Sequence, residues 1–188
     1  DPATGNADAW NPDAADGVYA LITDSSDIYA GGSFTNIGGQ ARNCIARLDT
    51  TTGNADSWNP DASDNIEVLA IDDSGIYAGG SFTNIGGQAR NCIARLDPAT
   101  GSADSWNPNA MGPVYALAID DSGVYAGGAF YLIGEDRASA FCKLAKTDAG
   151  IIPDWNVACK VIGGAIALDV AVQPDGKVVI AGLFTWIN

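Results

Sequence analysis

The side chains of this chain that could do chemistry are carboxylates, hydroxyls and four cysteines, because the sequence contains no histidine. This absence excludes the usual Ser/His and Cys/His nucleophile pairs and every histidine-ligated zinc, copper or iron site. Carboxylate pairs are the remaining catalytic option, and Asp72-Asp73 and Asp120-Asp121 are two such pairs. Each pair precedes Ser-Gly, which is typical of a solvated turn. We therefore predict no catalytic residue and expect that the protein is not an enzyme.

Two loops carry carboxylates at a spacing that could suit a hard cation. Asp13 and Asp16 are followed 48 positions later by Asp61 and Asp64. Oxygen ligands on loops are the kind that Ca²⁺ takes, although the spacing differs from that of an EF-hand loop. The corresponding residues 109–112 contain no carboxylate. We predict no cofactor or metal ligand, with calcium as the alternative left open.

The four cysteines show no metal-binding spacing. They stand at 44, 92, 142 and 159 without a C-x-x-C pair, so we do not expect a structural zinc site. Cys44 and Cys92 occupy the same position of a repeat and are expected to lie beyond the roughly 7 Å Cα separation that a disulfide allows. We expect both to be buried, and Cys142 with Cys159 is the one pair to test for a disulfide.

Composition narrows the classes of partner. The chain has 188 residues, 47% apolar residues and a net charge of -14, so it can bury a core. An acidic surface does not neutralise phosphates, and we expect neither nucleic acid nor an anionic membrane as a partner. No apolar run reaches the roughly 18 residues of a membrane span.

An exact internal repeat determines the organisation of the chain. Residues 28–49 and 76–97 are the same 22-residue string, displaced by 48 positions. A tryptophan marks each of four copies at Trp10, Trp58, Trp106 and Trp155. We predict one domain over residues 1–188, with repeats at about 1–48, 49–96, 97–144 and 145–188.

Four short segments of each copy have the pattern of strands. They are best seen at residues 114–119, 124–130, 91–96 and 103–106. The first two flank an Asp/Ser/Gly turn, which predicts a hairpin. Gly and Pro interrupt every candidate helical window, so we expect almost no helix.

Paired glycines and the tryptophans have a packing interpretation. A strand without Cβ atoms lets a neighbouring sheet approach closely, and a large ring can fill the gap between sheets. A phosphate loop is the alternative for the glycines, but no Gly-Lys-Ser/Thr follows them. Ligand stacking is the alternative for the tryptophans. The glycine pairs are Gly31-Gly32, Gly79-Gly80 and Gly127-Gly128.

The order of these features resembles a known type of repeat. The repeat resembles the kelch-type propeller blade in having a Gly-Gly pair, then a strand, then an Asp-x-x-Thr-Gly turn and then Trp. It differs from kelch in having Ala46-Arg47-Leu48 where kelch has a Tyr. Residues 77–101 more closely resemble repeats of bacterial secreted propeller proteins and fungal cortical cell-polarity markers, and residues 170–180 resemble the bacterial family's hairpin. The resemblance covers essentially the whole chain. It implies an all-β fold, a β-propeller of about four 48-residue, four-stranded blades, or part of a larger propeller.

The chain ends raise the question of ring closure. We see neither an initiator Met nor a signal peptide and expect a processed product or an excised segment. A circle of four repeats would lack the equivalent of residues 39–48, a third strand. Three interpretations stay open: part of a larger propeller, an assembly in which another chain fills the gap, and a self-contained, imperfect ring. Open blade edges predict self-association.

Candidate partner contacts lie where the copies differ or carry charge. Tyr131 and Trp186 replace polar residues of the other copies, and Arg42 and Arg90 lie in a loop before the third strand. Chain-end packing is the alternative for the two aromatic residues. A second set of charged residues, Arg47, Arg95 and Lys143, shares one repeat position. We expect these cations to pair with neighbouring Asp residues and to stabilise the fold rather than to contact a partner.

The sequence therefore favours a non-catalytic, extracellular or cell-surface propeller that acts as a structural or protein-interaction scaffold. One alternative is a carbohydrate-binding, lectin-like module that uses aromatic and Asp/Asn loops. Another is a non-catalytic fragment of a larger propeller enzyme. Expected partners are protein or glycan surfaces.

Overall fold

The structure, a computed structural model, describes residues 3–4, 9–134, 136–138, 140–152, 159–160, 164–184 and 186–187. These residues form strands, turns and loops, with no helix among them, so the described part of the chain offers no helical membrane span. In chain order the strands are β1 (Val18–Thr23), β2 (Asp27–Gly32), β3 (Asn36–Ile37), β4 (Gln40–Ala41), β5 (Ile45–Asp49), β6 (Ile66–Asp72), β7 (Gly75–Gly80), β8 (Asn84–Ile85), β9 (Gln88–Ala89), β10 (Ile93–Leu96), β11 (Val114–Asp120), β12 (Gly123–Gly128), β13 (Leu132–Ile133), β14 (Asp136–Arg137), β15 (Phe141–Leu144), β16 (Cys159–Lys160), β17 (Ile166–Val172), β18 (Val178–Leu183) and β19 (Trp186–Ile187).

The strands form a series of antiparallel sheets that follows the repeat. The sheets are β1-β2-β5, β6-β7-β10, β11-β12-β15 and β17-β18. Their first strands lie side by side, β1 next to β6, β6 next to β11 and β11 next to β17. Each sheet is therefore stacked on its neighbour by the strand that begins it.

The predicted Asp/Ser/Gly hairpin turns are confirmed. Asp72 Oδ1 accepts a hydrogen bond from the Ser74 amide at 2.8 Å, and Asp120 Oδ1 accepts one from the Ser122 amide at 2.8 Å. Such a side chain to backbone bond closes a turn that the next strand can follow at once.

A small ribbon between the second and third strands was not predicted. β3 pairs with β4, and β8 pairs with β9. The two residues of the first ribbon turn, Gly38 and Gly39, have φ of 59° and 74°, and two positive φ values are what a tight hairpin turn requires. Each strand of the ribbon is two residues long, which is too short to show a strand pattern in the sequence.

The predicted fourth strand is wrong in extent. Residues 103–106 make only one isolated bridge, between Leu96 and Ala103. Asp104 then accepts a hydrogen bond from the Trp106 amide at 2.8 Å, which turns the backbone away from the sheet. The turn directs Trp106 into the space between sheets, where the side chain is 1% exposed.

The tryptophans lie between sheets as predicted. Trp58 contacts Tyr29 edge to face, with ring centroids 5.3 Å apart, and Trp106 contacts Tyr77 in the same way at 5.2 Å. The indole nitrogen of Trp58 donates to the carbonyl of Asp97 at 3.1 Å. Each ring therefore joins the second strand of one repeat to the residue that follows the third strand of the next.

The tryptophans of the first and last copies differ from these two. Trp10 makes the corresponding bond to Asp49 at 3.1 Å but is only half-buried. Trp155 lies outside the described residues.

The first glycine of each pair faces the next sheet, as predicted. A methyl group added at Gly31 would lie 2.5 Å from Ile66 Cγ2, and one at Gly79 would lie 2.8 Å from Val114 Cγ1. Gly127 has the same relation to the fourth sheet. Because these distances are below carbon contact distance, neighbouring sheets approach only where the Cβ is missing.

At the second position of each pair, a different contact excludes a Cβ atom. A methyl group at Gly80 would overlap the backbone carbonyl of Asn65, which precedes the first strand of the same sheet. Gly32 and Gly128 face the same kind of backbone carbonyl. These glycines let a loop, rather than a neighbouring sheet, come close.

Candidate interaction surface

One end of each sheet is built from two loop segments that meet. Because the strands are antiparallel, the ribbon after the second strand and the segment before the first strand lie at the same end. In the second repeat, the Ser63 amide donates to Asn84 O at 3.0 Å and the Gly86 amide donates to Pro60 O at 2.7 Å. We call this end of the sheets the loop face; it comprises the ribbons β3-β4, β8-β9 and β13-β14 and the segments 11–17, 59–65 and 107–113.

Polar side chains lie where the two loop segments of the second repeat meet. The Ser63 hydroxyl oxygen accepts hydrogen bonds from the amides of Thr83 and Asn84, both at 3.0 Å. The first repeat has Ala15, Thr35 and Asn36 at these positions.

The third repeat replaces all three polar residues with apolar or aromatic ones. Met111, Tyr131 and Leu132 occupy the positions of Ser63, Thr83 and Asn84. Met111 is 47% exposed and Tyr131 is 61% exposed, while Leu132 is half-buried.

The backbone hydrogen bond that joins the two loop segments is kept despite this replacement. The Met111 amide still donates to Leu132 O, at 2.9 Å. We call Met111, Tyr131 and Leu132 the loop patch. Sequence reasoning selected Tyr131 but missed Met111 and Leu132, which a position-by-position alignment of the three copies would have found.

A cleft opens on the loop face between the first two repeats. Its volume is about 560 Å³. Asn43 Nδ2 donates to Asp61 Oδ1 at 2.7 Å at its margin, and Asn91 makes the same 2.7 Å bond to Asn109. The residues that line the cleft are Asn43, Asn59, Pro60, Asp61, Ala62, Ser63, Asn84, Ile85 and Gly87.

The carboxylates considered for calcium have local roles. Asp61 has φ of 54° and accepts the hydrogen bond from Asn43. Asn109 stands at the same repeat position with the same φ of 54°, and it accepts the corresponding bond from Asn91 without carrying a charge. Asp16 Oδ1 and Asp64 Oδ1 each accept the amide of the following residue at 2.7 Å. Within the described ranges, no three His, Cys, Asp or Glu side chains are grouped as a metal would need. Calcium binding stays a prediction without a defined ligand set.

The guanidinium groups of Arg42 and Arg90 make bonds within the chain. Arg42 Nη1 donates to the Ala41 carbonyl at 2.6 Å, and its Nη2 donates to the Asp56 carbonyl. Arg90 bonds in the same way to the carbonyls of Ala89 and Asp104. Both arginines are half-buried and tie the ribbon to the segment before the tryptophan. A partner contact at either arginine stays a prediction.

The structure describes only the backbone of Trp186. It lies in β19 and pairs with Lys160 of β16. The predicted partner contact of its ring concerns a side chain outside the described part of the structure.

The pairing predicted for the third-strand cations is confirmed for the arginines. Arg47 Nη2 lies 2.5 Å from Asp56 Oδ2, and Arg95 Nε lies 2.6 Å from Asp104 Oδ2. Arg95 Nη1 also donates to the carbonyl of Lys146 at 2.8 Å, which joins two repeats.

Lys143 differs from the two arginines at its repeat position. Its ammonium donates to the Ser122 hydroxyl at 2.7 Å and lies 4.8 Å from the centre of the Tyr125 ring. A lysine cannot reproduce the planar fork with which Arg47 and Arg95 bind two acceptors.

The carboxylate pairs at the hairpins act as turn and packing groups. Burial raises the pKa of Asp120, but hydrogen bonds from Ser122 and from Tyr125, whose hydroxyl lies at 2.8 Å, outweigh it and hold the pKa below its ordinary value. Burial also raises the pKa of Asp72, but its contacts lower the pKa by more than burial raises it. The largest of these contacts is the Lys146 ammonium at 2.7 Å. A general acid needs a raised pKa, so neither carboxylate has that environment.

The thiols are also in unreactive surroundings. Cys44, Cys92 and Cys142 are free and buried, and the burial expected for the first two is confirmed. Burial raises the pKa of Cys142, which disfavours the nucleophilic thiolate. The side chain of Cys159 lies outside the described residues.

Comparison with known proteins gives a fold and no activity. No curated protein matches the chain. The crystal structure of the computationally designed Ika4 protein aligns with a TM-score of 0.42 and 16% identity, over 90% of this chain and 92% of that one. A family model described as domain of unknown function (DUF5122) beta-propeller matches residues 27–57, 73–105 and 173–188. Together with the repeated antiparallel sheets, this match confirms the predicted fold: the protein is an all-β β-propeller.

Proposed function

We propose that this propeller is a non-catalytic interaction scaffold that binds a protein surface through the loop patch. The observation that carries the proposal is the exchange of Ser63, Thr83 and Asn84 for Met111, Tyr131 and Leu132 between loop segments that keep the same backbone hydrogen bond.

Exposure of the patch argues for a partner. Neighbouring exposed apolar side chains are a feature of protein-interaction sites. An adjustment of internal packing would bury the new side chains, whereas Tyr131 stays 61% exposed. Tyrosine and methionine are also enriched at protein interfaces.

The cellular setting belongs to the same proposal. Resemblance of the repeat to secreted bacterial propellers, together with scarce Lys and abundant Asp, Asn, Gly and Thr, supports an extracellular or cell-surface location. The net charge of -14 favours solubility and disfavours nonspecific binding to acidic polymers.

Restoring the residues of the second repeat tests this function. The triple variant Met111→Ser, Tyr131→Thr and Leu132→Asn puts into the third repeat a side-chain set that its own neighbour already carries, so we expect it to fold. A photo-crosslinking residue at position 131 would capture proteins from the extracellular and surface fraction of the native source, and calorimetry would then measure binding of the identified protein. Loss of an interface aromatic anchor predicts affinity at least about thirtyfold weaker for the triple variant.

The reciprocal variant is the control. Ser63→Met, Thr83→Tyr and Asn84→Leu create a second apolar set and should leave binding at the first one intact. Equal affinity of the captured protein for the wild type and the triple variant would contradict the proposal.

The cleft supports a second candidate function, carbohydrate binding. Its margin offers amide and carboxylate groups from Asn43, Asp61 and Asn84, the polar groups with which proteins bind sugar hydroxyls. A glycan array tests this alternative. Binding that Asn43→Ala abolishes, and that the triple patch variant retains, would favour the lectin-like function over the scaffold.

A further inference from the structure

The cleft on the loop face combines buried apolar residues with exposed polar ones. Its volume of about 560 Å³ lies in the range of pockets that hold small ligands. Of its lining, Pro60, Ala62 and Ile85 are buried, whereas the asparagine, aspartate and serine side chains are exposed. A lining with amides, a hydroxyl and a carboxylate at its exposed side suits a ligand that itself carries several hydrogen-bonding groups.

The exposed groups of the lining have hydrogen-bonding capacity to spare. Among the described residues, the side-chain amides of Asn59 and Asn84 have no hydrogen-bond partner. Asp61 uses Oδ1 for the bond from Asn43, and its Oδ2 accepts no bond within that same part of the chain. A methyl group added at Gly87 would meet no atom within 4 Å, so this side of the cleft is open for a ligand to enter.

The charge of Asp61 is not needed by the local structure. Asn109 takes the corresponding 2.7 Å bond, from Asn91, and holds the same φ of 54°. Asparagine and aspartate both tolerate a positive φ. The carboxylate at position 61 is therefore available for a role that the third repeat does not have.

The electrostatic potential around the cleft is negative. Its lining contains Asp61 and neither lysine nor arginine. Burial, followed by the negative charges of Asp64 and Asp61, raises the pKa of the Cys44 thiol, which is the residue next to Asn43 in the lining. Nearby negative charge has this effect on a thiol because it disfavours the thiolate. The same charges repel a carboxylated ligand and attract an ammonium group.

Resting on the carbohydrate-binding function of the cleft, we propose that its ligand is an amino sugar with a free ammonium group and that Asp61 determines this specificity. The ammonium donates to the Asp61 carboxylate, and the amides of Asn59 and Asn84 bind the hydroxyl groups. Acidic sugars are excluded by the same carboxylate.

A glycan array followed by calorimetry tests the specificity with the 188-residue chain. The probes are gluco- and galacto-configured oligosaccharides, each in matched free-amine, N-acetylated, neutral and carboxylated forms. We expect the free-amine forms to bind at least about fivefold tighter than their N-acetylated counterparts, and the carboxylated forms to give no signal. Added salt should reduce the preference for the amine by screening the charge of Asp61.

Asp61→Asn isolates the charge, because Asn109 shows that asparagine keeps both the backbone and the hydrogen bond. This variant should reduce the preference for the amine to less than about twofold and leave the affinity for the N-acetylated form nearly unchanged. Asp13→Asn is the matched control. It makes the same change in net charge at the same repeat position, with φ of 50°, but outside the lining of the cleft, and it should keep the preference.

The possible results separate the specificity from the function on which it rests. Sugars that bind irrespective of charge, or a preference that Asp61→Asn leaves intact, would overturn the specificity and leave carbohydrate binding standing. Absence of binding by every saccharide would overturn both. If n-butylammonium, which has no hydroxyl, bound as tightly as the amino sugar, the ligand would not be a sugar. The triple patch variant should bind amino sugars like the wild type, so that the loop-patch proposal fails separately.

Discussion

Gly79 and Gly80 of β7 lie against groups that differ in how easily they move: side chains beside Gly79 and backbone beside Gly80. Alanine substitution at the two positions should therefore destabilise the protein to different extents. A methyl group at Gly79 would lie 2.7 Å from Val68 Cγ1 and 2.8 Å from Val114 Cγ1. Both are side-chain methyl groups that small movements can displace. A methyl group at Gly80 would instead overlap the carbonyl oxygen of Asn65, whose backbone is held by the hydrogen bond from the Ser81 amide at 3.0 Å.

The magnitudes follow from these contacts. Overpacking against side chains costs about 1 to 3 kcal/mol, and replacing glycine returns about 0.4 to 1 kcal/mol through the unfolded chain. We therefore expect Gly79→Ala to lower the free energy of unfolding by about 0 to 2.6 kcal/mol. Gly80→Ala should lower the free energy of unfolding by more than about 4 kcal/mol, a loss typical of substitutions that disrupt the structure.

Urea unfolding followed by tryptophan fluorescence measures both variants, because Trp58 and Trp106 report the gaps between sheets. Gly150→Ala is the control: its added methyl group would come no closer than 3.4 Å to the Asp148 carboxylate. If Gly80→Ala were as stable as Gly79→Ala, the second glycine would not be required by the close backbone approach, and this reasoning would be refuted.

Further substitutions test other contacts. Trp58→Phe removes the donor to the Asp97 carbonyl and should destabilise by about 1 to 3 kcal/mol in urea unfolding; an unchanged midpoint would contradict the role of that bond. Arg95→Lys should weaken the contacts to Asp104 and Lys146 and so lower the midpoint of urea unfolding. Lys177→Ala, which removes the exposed ion pair with Asp175, should leave that midpoint nearly unchanged. Since the folded pKa of Asp120 is lowered, its stabilisation is present above the ordinary pKa of 3.8 and is lost as the pH falls through the lower folded value. Asp120→Asn should therefore flatten the acid limb of stability against pH, and an unchanged limb would contradict the assignment. Cys92→Ala should fold normally, because Ala140 occupies the same position at φ of 67°; a chain that fails to fold would show a requirement for the thiol.

The sequence was informative where the copies are alike. Spacing of the tryptophans and the glycine pairs predicted sheets that pack in series, and the positions of Trp58 and Gly79 confirm it. Charges at a shared repeat position predicted the ion pairs of Arg47 and Arg95. In each case the repeat itself supplied the evidence, since a residue retained at one position of successive copies has to meet a copy of the same neighbour.

Local backbone geometry was harder to predict. The predicted strand over residues 103–106 failed because Asp104 accepts the Trp106 amide and turns the chain, a choice that alternation of apolar residues does not show. The ribbon around Gly38 and Gly39 is shorter than any strand pattern.

The bonds between repeats have a consequence for how such a gene can change length. Trp58 and Trp106 each bond a carbonyl 39 residues further along the chain, and Arg47 and Arg95 each bond one 51 residues ahead. Insertion or loss of one complete 48-residue unit leaves these offsets intact, because every unit brings both the donor and the acceptor for its neighbours. Unequal recombination between the identical segments would therefore keep these bonds in chains of different copy number, whereas a deletion of any other length would misalign the donors and acceptors that lie on either side of it.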